Sequence, residues 1–184
     1  MMRDGKDILN LIISRQSDRK YSAEPVEKEK LDRIIEAGRM APSACNAQPW
    51  KFIVVTDPEL VAKIAEAASA KLIGMNAFVA QAPVQIIIVR EQPNFSSKVG
   101  ATIKNKDYSL IDIGIATENI CLQAQAEGLG SCIIGWFDEK ELKKLLVIPR
   151  SRRVELIITL GYSLSEKREK RRKPPEETVS YNKY

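Results

Sequence analysis

The sequence contains no histidine, and this absence excludes several kinds of active site. Without an imidazole the chain cannot build a Ser-His-Asp or Cys-His nucleophile system, a histidine general base or an imidazole metal ligand. Any catalysis must therefore use carboxylates, lysine, tyrosine, backbone dipoles or a bound cofactor. A cofactor that brings its own redox chemistry suits such a chain well.

Cysteine is also scarce. The chain has only Cys45, Cys121 and Cys132, an odd number without a Cys-x-x-Cys spacing. This pattern indicates neither a disulfide framework nor a zinc site, so we expect no bound metal. A reducing cytoplasm is the expected location of such a protein.

Long apolar runs are absent as well, since no stretch approaches the roughly 20 residues that a membrane-spanning helix needs. The apolar residues near the N-terminus are interrupted by Asn10 and Arg15, and no small-residue cleavage site follows them. We therefore expect an amphipathic first helix rather than a signal peptide, and no membrane partner.

Positive charge is concentrated near the C-terminus. The formal net charge is +5, and residues 167–173, KREKRRK, place six cations in seven positions. The remainder of the chain is close to neutral. This distribution predicts one anion-binding segment or a solvated tail, rather than a surface that coats nucleic acid.

Hydrophobic periodicity predicts one α+β domain. Helices are expected over residues 8–15, 25–38, 57–67 and 138–146, and strands over residues 52–55, 84–89 and 154–160. Asp57 is the expected N-cap of the third helix, and Asp138 with Glu141 forms a predicted capping box for the fourth. Residues 91–107 are polar and are predicted to be a loop or a short surface helix.

Residues 110–127 form a predicted helix that is apolar almost all round. Such a helix is buried on several sides. In a chain of this size, burial against a second subunit as well as the sheet accounts for the pattern. A central core helix of a monomer is the alternative.

The loop APSACNAQPW at residues 41–50 combines two prolines with Ser43, Asn46, Gln48 and Trp50. Proline restricts its own backbone and that of the preceding residue, so this loop is expected to be stiff. Its amides and hydroxyl can hydrogen-bond a polar planar ligand. Alternatively, the asparagine and serine only close a turn.

This loop closely resembles a signature of the nitroreductase family, and three other motifs match the same family. They are RQSDRKY at residues 15–21, a long helix that ends in GLG at residues 128–130, and RKPPEE at residues 172–177. The resemblance runs from about residue 8 to residue 179, which is nearly the whole chain.

The resemblance implies a nitroreductase-like α+β sandwich, with a mostly antiparallel central sheet flanked by helices. It implies a homodimer whose FMN sites lie at the interface. Residues 1–165 would form the FMN-binding domain. Residues 166–184, here called the basic segment, would contact the phosphate and reach across to the partner subunit.

The resemblance also implies a set of cofactor-binding residues. They are Arg15, Gln16, Ser17, Arg19, Pro42, Ser43, Ala44, Cys45, Asn46, Ile134, Gly135, Lys170 and Arg172.

Arg15, Ser17 and Arg19 would hold the phosphate or the pyrimidine edge of the flavin. For the two arginines, interaction with the C-terminal dipole of the first helix is the alternative. Asn46 would hydrogen-bond the flavin ring, while residues 42–45 line the site from the other subunit. Cys45 stands where the family commonly has a small residue, so it is predicted to fill space rather than act as a nucleophile.

Two further parts of the site follow from the resemblance. A backbone N–H near Ile134 and Gly135 would point to flavin N5, so no side chain is assigned a catalytic role. Lys170 and Arg172 match the phosphate-binding pair of the family.

The function implied is that of an oxidoreductase that passes hydride from NAD(P)H through FMN to a small-molecule acceptor such as a nitroaromatic compound or a quinone. One alternative is an FMN enzyme of the same fold that reduces a conjugated alkene or oxidises a specific metabolite. A different class remains open, in which the basic segment binds a polyanion. Aromatic residues that would stack on bases are not interleaved with its cations.

Overall fold

A computed structural model describes residues 5–69, 76–91 and 107–184. The helices are α1 (Gly5–Ser14), α2 (Lys28–Arg39), α3 (Pro58–Ala68), α4 (Tyr108–Ala126), α5 (Glu139–Leu145) and α6 (Pro175–Thr178). The strands are β1 (Trp50–Val55), β2 (Val84–Arg90), β3 (Gly130–Ile134) and β4 (Arg153–Gly161), and 3-10 turns lie at Ala44–Asn46 and Ala77–Gln81. The prediction for residues 91–107 falls almost entirely outside the described residues.

The four strands form one antiparallel sheet in the order β1-β2-β4-β3. At its centre Ile87 of β2 lies opposite Ile157 of β4, and Ile86 lies opposite Ile158. All four side chains are fully buried. β-Branched residues suit such a pleated surface when both of its faces are covered. The predicted α+β sandwich with a mostly antiparallel sheet is confirmed.

Each face of the sheet carries its own hydrophobic core. On one face, α2 and α4 contribute to a cluster that includes Ile34, Ile86 and Ile120. On the opposite face, α3 and α5 contribute to a cluster that includes Ile64 and Leu142. Helix α1 belongs to neither cluster, since it has no buried residue.

Helix α2 differs from the prediction at both ends. It begins at Lys28 rather than at Pro25, because Glu27 keeps an extended backbone with φ −64° and ψ 138°. Gly38 does not end the helix but lies within it. A Cβ atom on Gly38 would lie 2.7 Å from the Ile120 side chain, so the glycine permits close packing of α2 on α4.

The two predicted N-caps are present. Asp57 accepts the Leu60 amide at 2.8 Å, and Asp138 accepts the Glu141 amide at 3.0 Å. A full capping box also requires the backbone amide of Asp138 to donate to the Glu141 side chain, and this hydrogen bond does not form. That amide donates instead to the Ala67 carbonyl oxygen at 2.8 Å, which ties α5 to the end of α3.

Helix α4 is buried on one side and exposed on the other. Ile113 and Ile120 are almost fully buried, whereas Leu110, Ile111 and Ile115 are 47%, 44% and 37% exposed. The α1 residues Ile8, Leu9, Ile12 and Ile13 are exposed as well. The two helices thus present apolar side chains that the core of one chain does not use.

Candidate functional site

Residues 15–21 leave α1 and run along the edge of the sheet. Ser17 forms a parallel bridge with Ser131 of β3, and the Asp18 amide donates to the Ser131 carbonyl oxygen at 2.9 Å. The Tyr21 hydroxyl donates to the Asp18 carbonyl oxygen at 2.7 Å. Burial raises the pKa of Tyr21 far above its usual value, so this hydroxyl stays neutral and structural. Residues 15–21, here called the first motif, are therefore held in a defined position.

Gln16 joins this motif to the basic segment. Its Nε2 donates to Asp18 Oδ1 at 2.9 Å and to the Glu166 carbonyl oxygen at 3.0 Å. Its Oε1 accepts the Arg168 amide at 3.1 Å. The side chain predicted to contact the cofactor thus has three partners within the protein, and it lies at the base of the docked segment.

Further hydrogen bonds dock the basic segment on the first motif. The Arg168 guanidinium donates to the Ser17 carbonyl oxygen at 2.6 Å, and Lys170 Nζ donates to the Arg15 carbonyl oxygen. Residues 167–170 therefore lie against the body of the protein and do not form a solvated tail. Hydrogen bonds to charged donors are among the stronger ones in proteins, so this junction is well anchored.

A cavity of about 590 Å³ opens between the first motif and the basic segment. Its lining residues are Arg15, Gln16, Ser17, Arg19, Arg168, Glu169, Lys170, Arg171 and Arg172. Guanidinium and ammonium groups that converge on one space are suited to phosphate oxygens. The cavity can therefore hold a ligand that carries a phosphate group.

The electrostatics of the cavity also fit an anion. Arg15 Nη2 contacts the Glu118 carboxylate of α4 at 3.1 and 3.3 Å, while Arg15 Nε is buried and has no hydrogen-bond partner among the residues that the structure describes. Burial, together with the cations Arg15 and Arg172, lowers the pKa of Lys170. A phosphate group would supply acceptors to these donors and reduce the repulsion between the cations.

The loop at residues 41–50 is attached to the rest of the protein at two points, Ala44 and Trp50. The Asp112 carboxylate of α4 accepts the Ala44 amide, with both oxygens at 3.2 Å. Trp50 is buried and stacks on Phe52 with ring centroids 6.2 Å apart. The expected stiffness of the loop therefore has a physical cause in these contacts.

The backbone within this loop is strained. Cys45, Asn46 and Gln48 have φ angles of 53°, 49° and 46°, in the left-handed region that costs an L-residue about 1–2 kcal/mol. Ser43 Oγ accepts the Gln48 amide at 3.0 Å, so the turn-closing role holds for this serine. Gln48 Nε2 donates to Asn46 Oδ1 at 3.2 Å and orients the exposed Asn46 amide. Strain that the surroundings maintain is typical of ligand-binding loops.

Ile134 ends β3 opposite Ile157, and its side chain is buried in the second core cluster. Gly135 follows it at an exposed position. Any contact of this pair with a ligand must therefore come from the backbone rather than from the isoleucine side chain. Trp136, the next residue, is 63% exposed and does not pack into either core.

The cavity brings residues 15–19 and 168–172 together, but not the rest of the predicted cofactor-binding residues. Residues 42–46 and 134–135 are not part of its lining. Asp112 and Glu118, which hold the loop and Arg15 respectively, were not identified from the sequence. Both are carboxylates in a helix that is otherwise uncharged, and this contrast is the signal that could have identified them.

Other kinds of site find little support in the described part of the chain. Burial raises the pKa of the Cys121 thiol to about 11 and raises that of Cys132 as well, so neither thiol is activated. Within residues 5–69, 76–91 and 107–184, no cluster of cysteine and carboxylate side chains could hold a metal ion. None of the helices described is both long and apolar enough to cross a membrane.

Two named relatives are similar to this chain over most of its length. The chain is 36% identical over 166 residues to an Archaeoglobus fulgidus protein named as a candidate NADH dehydrogenase/NAD(P)H nitroreductase, covering 88% of both chains. It is 31% identical to the Bacillus subtilis FMN reductase [NAD(P)H], covering 78% of this chain and 61% of that one.

A solved structure and a family model extend this comparison over most of the chain. The structure of an FMN-dependent nitroreductase from Clostridium difficile R20291 superposes with a TM-score of 0.79 at 32% identity, covering 96% of this chain and 99% of the other. The model of the nitroreductase family matches residues 12–162. On this evidence the chain belongs to the nitroreductase family.

Proposed function

We propose that this chain is an NAD(P)H-dependent flavin oxidoreductase that binds FMN and reduces a small acceptor such as a nitroaromatic compound or a quinone. The observation that carries the proposal is the basic cavity, at which the motif at residues 15–21 and the basic segment, about 150 residues away in sequence, meet at hydrogen-bonding distance. The relatives named as FMN reductase and as FMN-dependent nitroreductase support the cofactor.

The residues of the chain would divide the binding of FMN between them. Arg15, Arg19, Lys170 and Arg172 would hold the phosphate, which fits their convergence on the cavity. Asn46 would hydrogen-bond the flavin ring, and the strain of its loop would limit the motion of that contact. The chemistry that FMN supplies when bound is hydride transfer at its N5 atom, for which backbone near Gly135 would orient the ring.

The proposed assembly is a homodimer with residues 1–165 as the FMN-binding domain and residues 166–184 reaching the partner. The exposed apolar side chains of α1 and α4 support it, because soluble monomers seldom leave large contiguous apolar patches bare. The odd cysteine count supports placing the enzyme in the cytoplasm.

The polyanion-binding alternative has less support. The cations Arg168 and Lys170 are already engaged with the Ser17 and Arg15 carbonyl oxygens, so part of the segment is committed to the cavity wall. The alternative of a dedicated metabolite as substrate differs from the proposal only in the acceptor. An acceptor screen therefore addresses it directly.

The test has two parts. The flavin released from purified protein by denaturation is identified by mass, with about one FMN per subunit expected. The protein reduced anaerobically by NADH or NADPH is then mixed in a stopped-flow instrument with nitroaromatic compounds, quinones and activated alkenes. Finding FAD, or protein that neither contains nor takes up FMN, would contradict the proposal.

A further inference from the structure

Glu118 is an acidic residue next to a cluster of cations. Its carboxylate contacts Arg15 Nη2 at 3.1 and 3.3 Å, and the two side chains are 40% and 22% exposed respectively. Arg15 lines the cavity in which Lys170 and Arg172 also lie. Glu118 therefore already binds a guanidinium group that lines the proposed phosphate site.

The ion pair with Glu118 leaves part of the hydrogen-bonding capacity of Arg15 unused. Arg15 Nε is buried and has no hydrogen-bond partner in the described part of the chain, and Lys170 Nζ donates to the carbonyl oxygen of the same residue. An ion pair with one guanidinium nitrogen is weaker than the two parallel hydrogen bonds that a carboxylate or phosphate can accept. Arg15 is thus held by Glu118 but not saturated by it.

We propose that Glu118 is an internal counter-ion that competes with the FMN phosphate for Arg15. It neutralises and orients the arginine, and it lowers the affinity of the cavity for a phosphate group. The competition acts on the phosphate alone, so Glu118 controls how strongly the site prefers FMN over riboflavin, the same ring system without a phosphate. This inference rests on the proposed FMN function.

The sign of the effect follows from charge. A phosphate monoester carries close to two negative charges at neutral pH and is repelled by a neighbouring carboxylate. Replacing Glu118 by glutamine removes this repulsion, while the glutamine oxygen still accepts a hydrogen bond from Arg15. Because both side chains of the pair are partly exposed, the change is modest, with FMN affinity rising about threefold to fivefold.

The test compares Glu118→Gln with Glu24→Gln as a matched control. Glu24 is exposed and lies outside the cavity lining, so its substitution makes the same change in net charge away from the proposed phosphate site. FMN and riboflavin are titrated into protein stripped of flavin, with quenching of flavin fluorescence as the readout. Glu118→Gln is expected to tighten FMN binding and leave riboflavin binding unchanged, whereas Glu24→Gln shifts FMN binding less than twofold.

An Arg15→Gln background provides a second, independent measurement. If Glu118 acts through Arg15, the gain from Glu118→Gln is smaller in this background than in the wild type. Glu118→Ala, which removes both the charge and the hydrogen bond, is expected to shift the preference for FMN over riboflavin in the same direction.

The outcomes separate this inference from the proposed function. Wild-type protein that binds no FMN would overturn both. If the wild type binds FMN, equal effects of Glu118→Gln and Glu24→Gln would show that only net charge matters, and the counter-ion role would be rejected. Weaker binding of both FMN and riboflavin in Glu118→Gln would reveal a structural role instead and would also overturn the inference.

Discussion

Val147 has a backbone conformation that its side chain disfavours. It follows α5 with φ 54° and is 87% exposed, while the next amide, of Ile148, donates to the Lys143 carbonyl oxygen at 2.9 Å. Glycine usually occupies such a left-handed position after a helix. We expect Val147→Gly to raise the free energy of unfolding by about 1 kcal/mol, because left-handed backbone costs an L-residue about 1–2 kcal/mol.

Urea denaturation measures this change, with Val147→Ala as the comparison. Alanine shortens the side chain but keeps a Cβ atom, so its gain should be the smaller one. Equal gains from the two variants would show that the branched side chain, and not the left-handed backbone, is the source of the strain.

Arg172 lines the proposed phosphate site, and its guanidinium donates to the neighbouring Arg171 carbonyl oxygen at 2.8 Å. Little free energy is therefore needed to turn this guanidinium toward a ligand. Losing a charge-assisted contact costs about 1.5–3 kcal/mol, so Arg172→Ala should weaken FMN binding by roughly tenfold or more. Arg150→Ala removes one positive charge outside the cavity lining and should leave the dissociation constant within a factor of two. Equal losses in the two variants would mean that FMN responds to overall charge only.

At the scale of elements, an ion pair joins α2 to the end of α4. Arg33 Nε and Nη2 each donate to the Glu127 carboxylate at 2.7 Å, and Gln123 Nε2 donates to it at 2.8 Å. The hydrogen bonds from Arg33 are the main cause that lowers the pKa of Glu127 from 4.5 to about 2. A carboxyl group with a lowered pKa stabilises the folded state above its unfolded pKa, and this contribution is lost as the pH falls through the folded value.

The prediction is a loss of stability in acid that depends on Glu127. The wild type should lose the stability contributed by Glu127 progressively as the pH falls from 4.5, the ordinary pKa, to about 2, the pKa in the folded state. Glu127→Gln should be slightly less stable at neutral pH and should lose less over that range. Urea midpoints measured across this pH range check the difference. Parallel curves for the two proteins would show that the ion pair contributes nothing to folding.

The elements were largely predictable from the sequence, since periodicity identified the main helices and strands to within a few residues. Long-range contacts were not. Gly38 packs closely on Ile120, and the Asp138 amide donates to the Ala67 carbonyl oxygen. Both contacts depend on packing between elements, which local sequence patterns do not encode. The same limit applies to the site. The sequence motifs identified Arg15 and Lys170, whereas the contact between Glu118 and Arg15 became visible only in the fold.

At the scale of the whole molecule, the exposed apolar side chains of α1 and α4 predict a homodimer. Light scattering should give a mass of two subunits for the wild type. Ile115→Glu places a charge among these side chains and should shift the mass toward one subunit, because burying an unpaired carboxylate is costly. Val147→Glu adds the same charge at a remote exposed position and should leave the dimer intact. A wild-type mass of one subunit would refute the dimer itself.

Subunit complementation tests whether the two subunits share each FMN site. The prediction is that the loop of Asn46 and the segment of Arg19 approach one flavin from different subunits. Asn46→Asp and Arg19→Ala proteins, each chosen to be inactive alone, are mixed under conditions that allow subunit exchange. A mixed dimer then has one site with both substitutions and one site with neither, so about half of the mixed dimers' sites should recover activity. Exchange verified by native mass spectrometry without any recovered activity would show that each site is built within one chain. In that case the dimer would serve only to cover the apolar side chains of α1 and α4.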